Sequence, residues 1–258
     1  MDKQISVQVD HLSVNYDKRP VLWDINFSIP SGSLVGIVGP NGAGKTTLIK
    51  ALLGLVPPIS GQVLIHNKPL KDVRQQIAYV PQRESVDWNF PITVLDLVTM
   101  GCYGRLGLFR RPSKADKAAA IHHLKQVGIE NLYNRQIGEL SGGQQQRVFL
   151  ARALLQDANI YFLDEPFAAI DHATEKMVIT ILRNLRDAGK TIFVVHHDLN
   201  TVLEYFDITM LINLRLIACG PTREVYNSEH LNAAYGKSYS LFDEALKLSH
   251  QERTGNLL

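Results

Sequence analysis

Gly39-Pro-Asn-Gly-Ala-Gly-Lys-Thr-Thr47 is the stretch from which the fold class is read. It follows the apolar run Leu34-Val-Gly-Ile-Val38 and precedes Leu48-Ile-Lys-Ala-Leu-Leu53. Strand, glycine loop and helix in that order make a phosphate-binding P-loop. Gly39, Gly42 and Gly44 permit backbone geometry that side chains forbid. With Pro40, Asn41 and Ala43 between them, they turn successive N–H groups inward around an anion, at the positive end of the following helix. Lys45 adds a point charge for the β and γ phosphates. The Thr46 hydroxyl is a ligand for Mg²⁺, and Thr47 reaches a further phosphate oxygen.

A second half lies downstream. Asn159-Ile-Tyr-Phe-Leu163 is long enough for a buried parallel strand and ends in Asp164-Glu165. Adjacent strand residues point to opposite faces, so the two acids have separate tasks. Asp164 is expected to hold Mg²⁺ through its water shell, and Glu165 to act as general base on the attacking water.

Between these halves stands Leu140-Ser-Gly-Gly-Gln144. Ser141 occupies a helix N-cap position ahead of Gly142, Gly143 and Gln144 and of the apolar Val148, Leu150, Ala151, Leu154 and Leu155. Its hydroxyl, the Gly143 N–H and the helix dipole would face a γ-phosphate together. Leu140–Gln144 resembles the signature of the ABC-type ATPases. The resemblance runs along nearly the whole chain: Tyr16, the P-loop, Gln82, the signature, Asp164-Glu165, Asp171 and His197, in that order. It implies that ATP sits between the P-loop of one copy and Ser141 of a second, so that two copies make the working unit. It further implies that Tyr16 stacks on adenine, the alternative being a strand-edge tyrosine. Gln82 would sense Mg²⁺ and the attacking water, His197 would hydrogen-bond the γ-phosphate, and Asp171 would lie at the contact between copies. The catalytic set is then Glu165, His197 and Gln82. His196 points to the opposite face from His197 and reads as a packed core histidine. Where the family often carries Thr-Ser-Ala-Leu-Asp, this chain has Phe167-Ala-Ala-Ile-Asp171, which removes two hydroxyls and keeps the aspartate.

The fold class expected is α/β. It consists of a P-loop ATPase core with a mostly parallel sheet, an N-terminal antiparallel β part and an inserted helical part, as one domain over 1–258. The antiparallel strands read as Ile5–Val9, Leu12–Asn15 and Ile25–Ile29, and the parallel ones as Leu34–Val38, Ile77–Val80, Ile160–Leu163 and Ile192–Val195. The nucleotide-binding core takes 1–88 and 158–220, the helical part 89–157, and a short helical tail 221–258. In the helical part, Val94, Leu97 and Val98 make one apolar face and Ala118, Ile121, Leu124 and Val127 another. Thr174–Asp187 is amphipathic and stops at Gly189.

A net charge of +2 in 258 residues, with dispersed basic residues, argues against a nucleic-acid partner. The local cluster Arg105, Arg110, Arg111 and Lys114 reads as a solvated loop, with a membrane-facing role second. Two cysteines, Cys102 and Cys219, form neither a disulfide framework nor a zinc pattern. Neither a secretory leader nor an apolar stretch of membrane-spanning length is seen. The expectation is a peripheral protein at the cytoplasmic face of the inner membrane, docked on a separate permease. Trp88, Phe90 and Tyr103 would form an exposed groove for a short helix of that permease; the alternative is that they fill the core of the helical part. That stretch, with Phe109-Arg-Arg-Pro-Ser-Lys-Ala-Asp116 and Val195-His-His-Asp198, is similar to the ATPases of bacterial manganese, zinc and iron importers. An extracytoplasmic metal-binding protein would be an indirect partner. Siderophore or haem importers share the motifs, and a non-transport ATPase would normally carry two fused units or a coiled-coil insertion.

Overall fold

The P-loop strand and the N-terminal strands lie in two different sheets. The computed structural model describes residues 4–16, 19–107, 110–168 and 170–236. Its first strands are β1 (Ile5–Tyr16), β2 (Arg19–Pro30), β3 (Leu34–Val38), β4 (Ser60–Ile65) and β5 (Lys68–Pro69). They are followed by β6 (Ile77–Val80), β7 (Ile160–Asp164), β8 (Thr191–His196), β9 (Ile208–Asn213) and β10 (Arg215–Pro221). One sheet is antiparallel with the order β2-β1-β4-β5; the other runs β10-β9-β3-β8-β7-β6. In the second, β9, β3, β8, β7 and β6 are parallel and β10 is an antiparallel edge.

The antiparallel sheet corrects the sequence reading. Ile5–Val9 and Leu12–Asn15 are one strand, with a pairing irregularity between Val9 and Leu12 where His11 has φ 52°. The irregularity switches parity: Val7 and Val9 face the core before it, Leu12 and Val14 after it. β2 does the same at Asp24 (φ 53°), burying Leu22 before and Ile25, Phe27 and Ile29 after. The two kinks are joined, His11 Nδ1 to Asp24 Oδ1 at 2.7 Å and the His11 N–H to Asn26 Oδ1 at 2.7 Å. A strict period of two breaks at such kinks, so alternation alone predicts two strands for β1 and only part of β2.

Every residue of β3, β7 and β8 is buried, as a parallel sheet covered on both faces requires. Val35, Ile37, Phe162, Phe193 and Val195 face one apolar core with β1 and β2, and Leu34, Val38, Leu163, Ile192 and Val194 face the other. Val38 pairs with His196 and Asp164 with Val195, so three strands end at one level. The carboxyl ends of parallel strands are where such sheets bind ligands.

Helices α1 (Lys45–Leu52) and α2 (Leu70–Val73) come first. Between β6 and its neighbour β7 lie α3 (Val94–Thr99), α4 (Tyr103–Leu106), α5 (Lys114–Gln126) and α6 (Gly142–Gln156). After β7 come α7 (His172–Asp187), α8 (Val202–Tyr205), α9 (Thr222–Val225) and α10 (Ser228–Tyr235). Val94, Leu97 and Val98 are buried as expected. In α5 the buried stripe is Asp116, Ala120 and Leu124, continued by Val127, whereas Ala118 is exposed and Ile121 is 39% exposed. Asp116 turns that helix: it closes the capping box with Ser113 and pairs with Arg105 at 2.7 Å. The Arg105 bond, then those of Ser113, hold its carboxyl well below the usual range. Phe109 and residues 237–258 of the expected tail lie outside the described residues. Among the described residues no helix is long and apolar enough to cross a membrane.

Candidate active site

Gly39 leaves β3 at a point where only glycine fits, because a β-carbon there would lie 2.1 Å from the Ile212 carbonyl oxygen. Gly42 and Gly44 have φ of 80° and 94°. Gly44 is the N-cap of α1 and supplies no side-chain cap, which leaves the N–H groups of the first turn available to an anion. Lys45 is 7% exposed, and its ammonium donates to the carbonyls of Gly39 (2.7 Å) and Pro40 (2.9 Å). Burial lowers its pKa, against the opposing pull of Glu165 and Asp164.

The acids approach from β7. Asp164 is fully buried; Oδ1 accepts from the Thr46 hydroxyl at 3.1 Å, and Oδ2 has no hydrogen-bond partner. Desolvation raises its pKa, opposed first by the Thr46 bond. Glu165 has φ 52°, in the left-handed region, which costs a non-glycine residue on the order of 1–3 kcal/mol. Its Oε2 accepts from the Gln82 amide at 3.3 Å. The P-loop residues Asn41–Thr47 line a cleft of ≈ 480 Å³ with Gln82, Glu165 and Val21. Val21 is the one lining residue absent from the sequence reading. Glycine spacing gives no signal for an apolar residue on a distant hairpin.

His197 follows β8 and is exposed. His196 is 2% exposed, and its Nε2 meets the Thr201 hydroxyl at 2.7 Å. Phe167 and Phe206 stand edge-on to its ring at 5.5 and 5.3 Å. Burial pushes its pKa down to about 4. Phe167, the departure noted in the sequence, is thus part of the wall around His196.

Ser141 caps α6. Its Oγ accepts the Gln144 N–H at 3.4 Å, and the Gln144 side-chain oxygen accepts the Ser141 N–H at 2.9 Å. Leu140 is 6% exposed and anchors the turn, while Ser141 is exposed. None of Leu140, Ser141, Gly142, Gly143 and Gln144 lines the P-loop cleft. The N-terminus of α6 is therefore no part of the P-loop cleft.

The profile of the ABC transporter family matches residues 22–168, from β2 past Glu165. The chain belongs to the ABC transporter family. It is an ABC ATPase. The manganese transport system ATP-binding protein MntB of Bacillus subtilis is 55% identical over 247 residues, 95% of this chain and 99% of that protein. The zinc transport system ATP-binding protein TroB of Treponema pallidum is 53% identical over 231 residues, 90% and 87% of the two chains. A solved ATP-binding subunit of an ABC transporter superposes with a TM-score of 0.75 at 25% identity, covering 93% of this chain and 98% of that one.

Three further residues of the sequence reading lie outside the P-loop cleft of this ABC ATPase. Tyr16 ends β1, 44% exposed, and is not among the residues that line the cleft. Asp171 caps α7, accepting from the Thr174 N–H (2.9 Å) and hydroxyl (2.8 Å); these bonds lower its carboxyl pKa. Trp88 is partly buried against the core of the helical part, the second of the two readings given for it. Its ring packs edge-on against Phe149 at 5.4 Å and its N–H donates to the Arg83 carbonyl at 2.9 Å. Phe90 and Tyr103 do remain exposed, at 57% and 48%.

Proposed function

We propose that this ABC ATPase drives a bacterial importer for manganese or zinc, as two copies closed around two MgATP. The observation that carries hydrolysis is Glu165, held against the P-loop cleft by Gln82 beside a buried Asp164 with one unpartnered oxygen. A carboxylate oxygen without a donor, next to a hydroxyl, fits a hard divalent cation that completes its shell with phosphate and water. Thr46, Asp164 and Gln82 would hold Mg²⁺, which when bound neutralises charge on the β and γ phosphates. Glu165 takes a proton from water as its oxygen bonds to the γ-phosphorus. The bond to the β–γ bridging oxygen breaks, leaving ADP and phosphate. His197 donates to the γ-phosphate, and the second copy's Ser141 and Gly143 cover its far side. Asp171 stands near the contact between copies, and Tyr16 reaches the base.

The names of the manganese and zinc relatives support this cargo and a permease partner. The core (1–88 and 158–220) burns ATP, and the helical part (89–157) meets a membrane permease at the cytoplasmic face. There Phe90 and Tyr103 are exposed, and a cavity of ≈ 490 Å³ opens among Tyr103, Gly107, Arg110, Arg111 and Pro112. An extracytoplasmic metal-binding protein delivers the ion to that permease.

The test is ATPase activity of the chain reconstituted with permease and binding protein, titrated with Mn²⁺, Zn²⁺ and ferric chelates. Stimulation by manganese- or zinc-loaded binding protein is expected. Glu165→Gln should cut turnover by about 10²–10⁴-fold with MgATP binding retained. Turnover indifferent to every metal, or undiminished in Glu165→Gln, would defeat the corresponding half of the reading.

A further inference from the structure

Gln82 begins a short segment that touches Glu165 on one side and the signature helix on the other. Its amide faces Glu165, and the next side chain, Arg83, faces the signature helix. Arg83 Nε donates to Gln145 Oε1 at 2.8 Å. Gln145 lies in the second turn of α6, 3% exposed, and its amide nitrogen donates to the Ile137 carbonyl at 3.2 Å. The guanidinium also lies against Gly142, where a β-carbon would sit 3.0 Å from Nε and 3.2 Å from Cζ. The backbone of Arg83 is fixed from the same helix: its carbonyl accepts the Trp88 N–H, and the Trp88 ring rests on Phe149. Arg83 is thus tied to α6 through side chain and main chain, one residue from the group that touches Glu165.

We propose that Arg83 is a positioning residue that carries a displacement of Gln82 to Ser141–Gln144, setting how the signature meets a second copy's nucleotide. This rests on the reading of Gln82 and the signature given above. A buried amide bonded to a guanidinium with several fixed donors transmits orientation, whereas a flexible ammonium would not. The lone P-loop cleft does not include Arg83, so nucleotide affinity of a single chain and pairing of two chains should separate.

The experiment is ATP-driven dimerisation in a Glu165→Gln background, followed by analytical ultracentrifugation, beside MgATP affinity of the dilute chain from a fluorescent analogue. Arg83→Ala should leave that affinity within about twofold and raise the ATP concentration needed for dimerisation about tenfold, as loss of one charge-assisted bond predicts. With Gln145→Ala already present, Arg83→Ala should add nothing, because coupled residues are not additive. Dimerisation like the parent's, or an equal loss in both backgrounds, overturns the proposal. Should Arg83→Ala fail to fold, Arg83→Gln is judged by the same two criteria. A Glu165→Gln parent that never dimerises with ATP would instead overturn the reading of the signature.

Discussion

The P-loop and the signature are both helix N-termini, and under the proposed function both meet phosphate, yet they are built in opposite ways. At α1 the cap residue is Gly44, which offers no side chain, and Lys45 fills the loop by bonding to the carbonyls of Gly39 and Pro40. At α6 the cap is Ser141, locked with Gln144 in a reciprocal box. The first end is buried and keeps its N–H groups unsatisfied by side chains, so it gains most from a ligand. The second is exposed and satisfies itself, so it is stable before any partner arrives.

The contrast breaks most sharply at Lys45. Lys45→Ala removes a buried cation from the cleft and is expected to weaken MgATP binding to the lone chain about 100-fold, read by calorimetric titration. Retained affinity would mean that the loop N–H groups alone suffice. Ser141→Ala tests the other end. Binding to the lone chain should stay within about twofold, ATP-driven dimerisation of the Glu165→Gln form should weaken about tenfold, and loss of the cap should cost about 1 kcal/mol in thermal stability. Weakened binding to the single chain would erase the distinction between the two helix ends.

The smallest effect sharpens the buried side. His196 pairs in register with Val38, the residue before the P-loop. Its folded pKa of about 4 lies below the unfolded 6.5, so the unfolded chain binds more protons between those values. Its contribution is intact above pH 6.5 and is lost as pH falls toward 4, by about 1 kcal/mol at pH 5.5. Asp164, whose pKa is raised, works in the opposite sense. His196→Gln should therefore flatten the decline of Tm between pH 6.5 and 4; an unchanged slope would mean that His196 does not titrate with folding.

Legibility in the sequence followed the range of the interaction. The P-loop, Asp164-Glu165 and the Ser141 cap are local: each needs only neighbouring residues and a strand or helix end. β1 and β2 were misread where His11 and Asp24 break the alternation, since the bond joining those kinks links residues 13 apart. Periodicity turns α5 toward Ile121 because Ile121 outranks Asp116 in hydrophobicity, whereas Arg105 and Ser113 together satisfy the buried acid. For Trp88 the sequence leaves both an exposed groove and the core of the helical part open, because nothing near it in sequence announces Phe149.

The sequence by itself determined that this chain binds and hydrolyses ATP and belongs with the ABC ATPases. Those functions reside in short runs whose backbone geometry is set by glycine, capping and strand alternation. Only the tertiary structure decided that His196 is enclosed by Phe167 and Phe206, that Val21 lines the cleft, and that Arg83 joins the segment of Gln82 to the signature helix. These are contacts between different elements, brought together by packing. Their partners are chosen by which faces of the sheet and helices are buried, a choice made by the whole core at once.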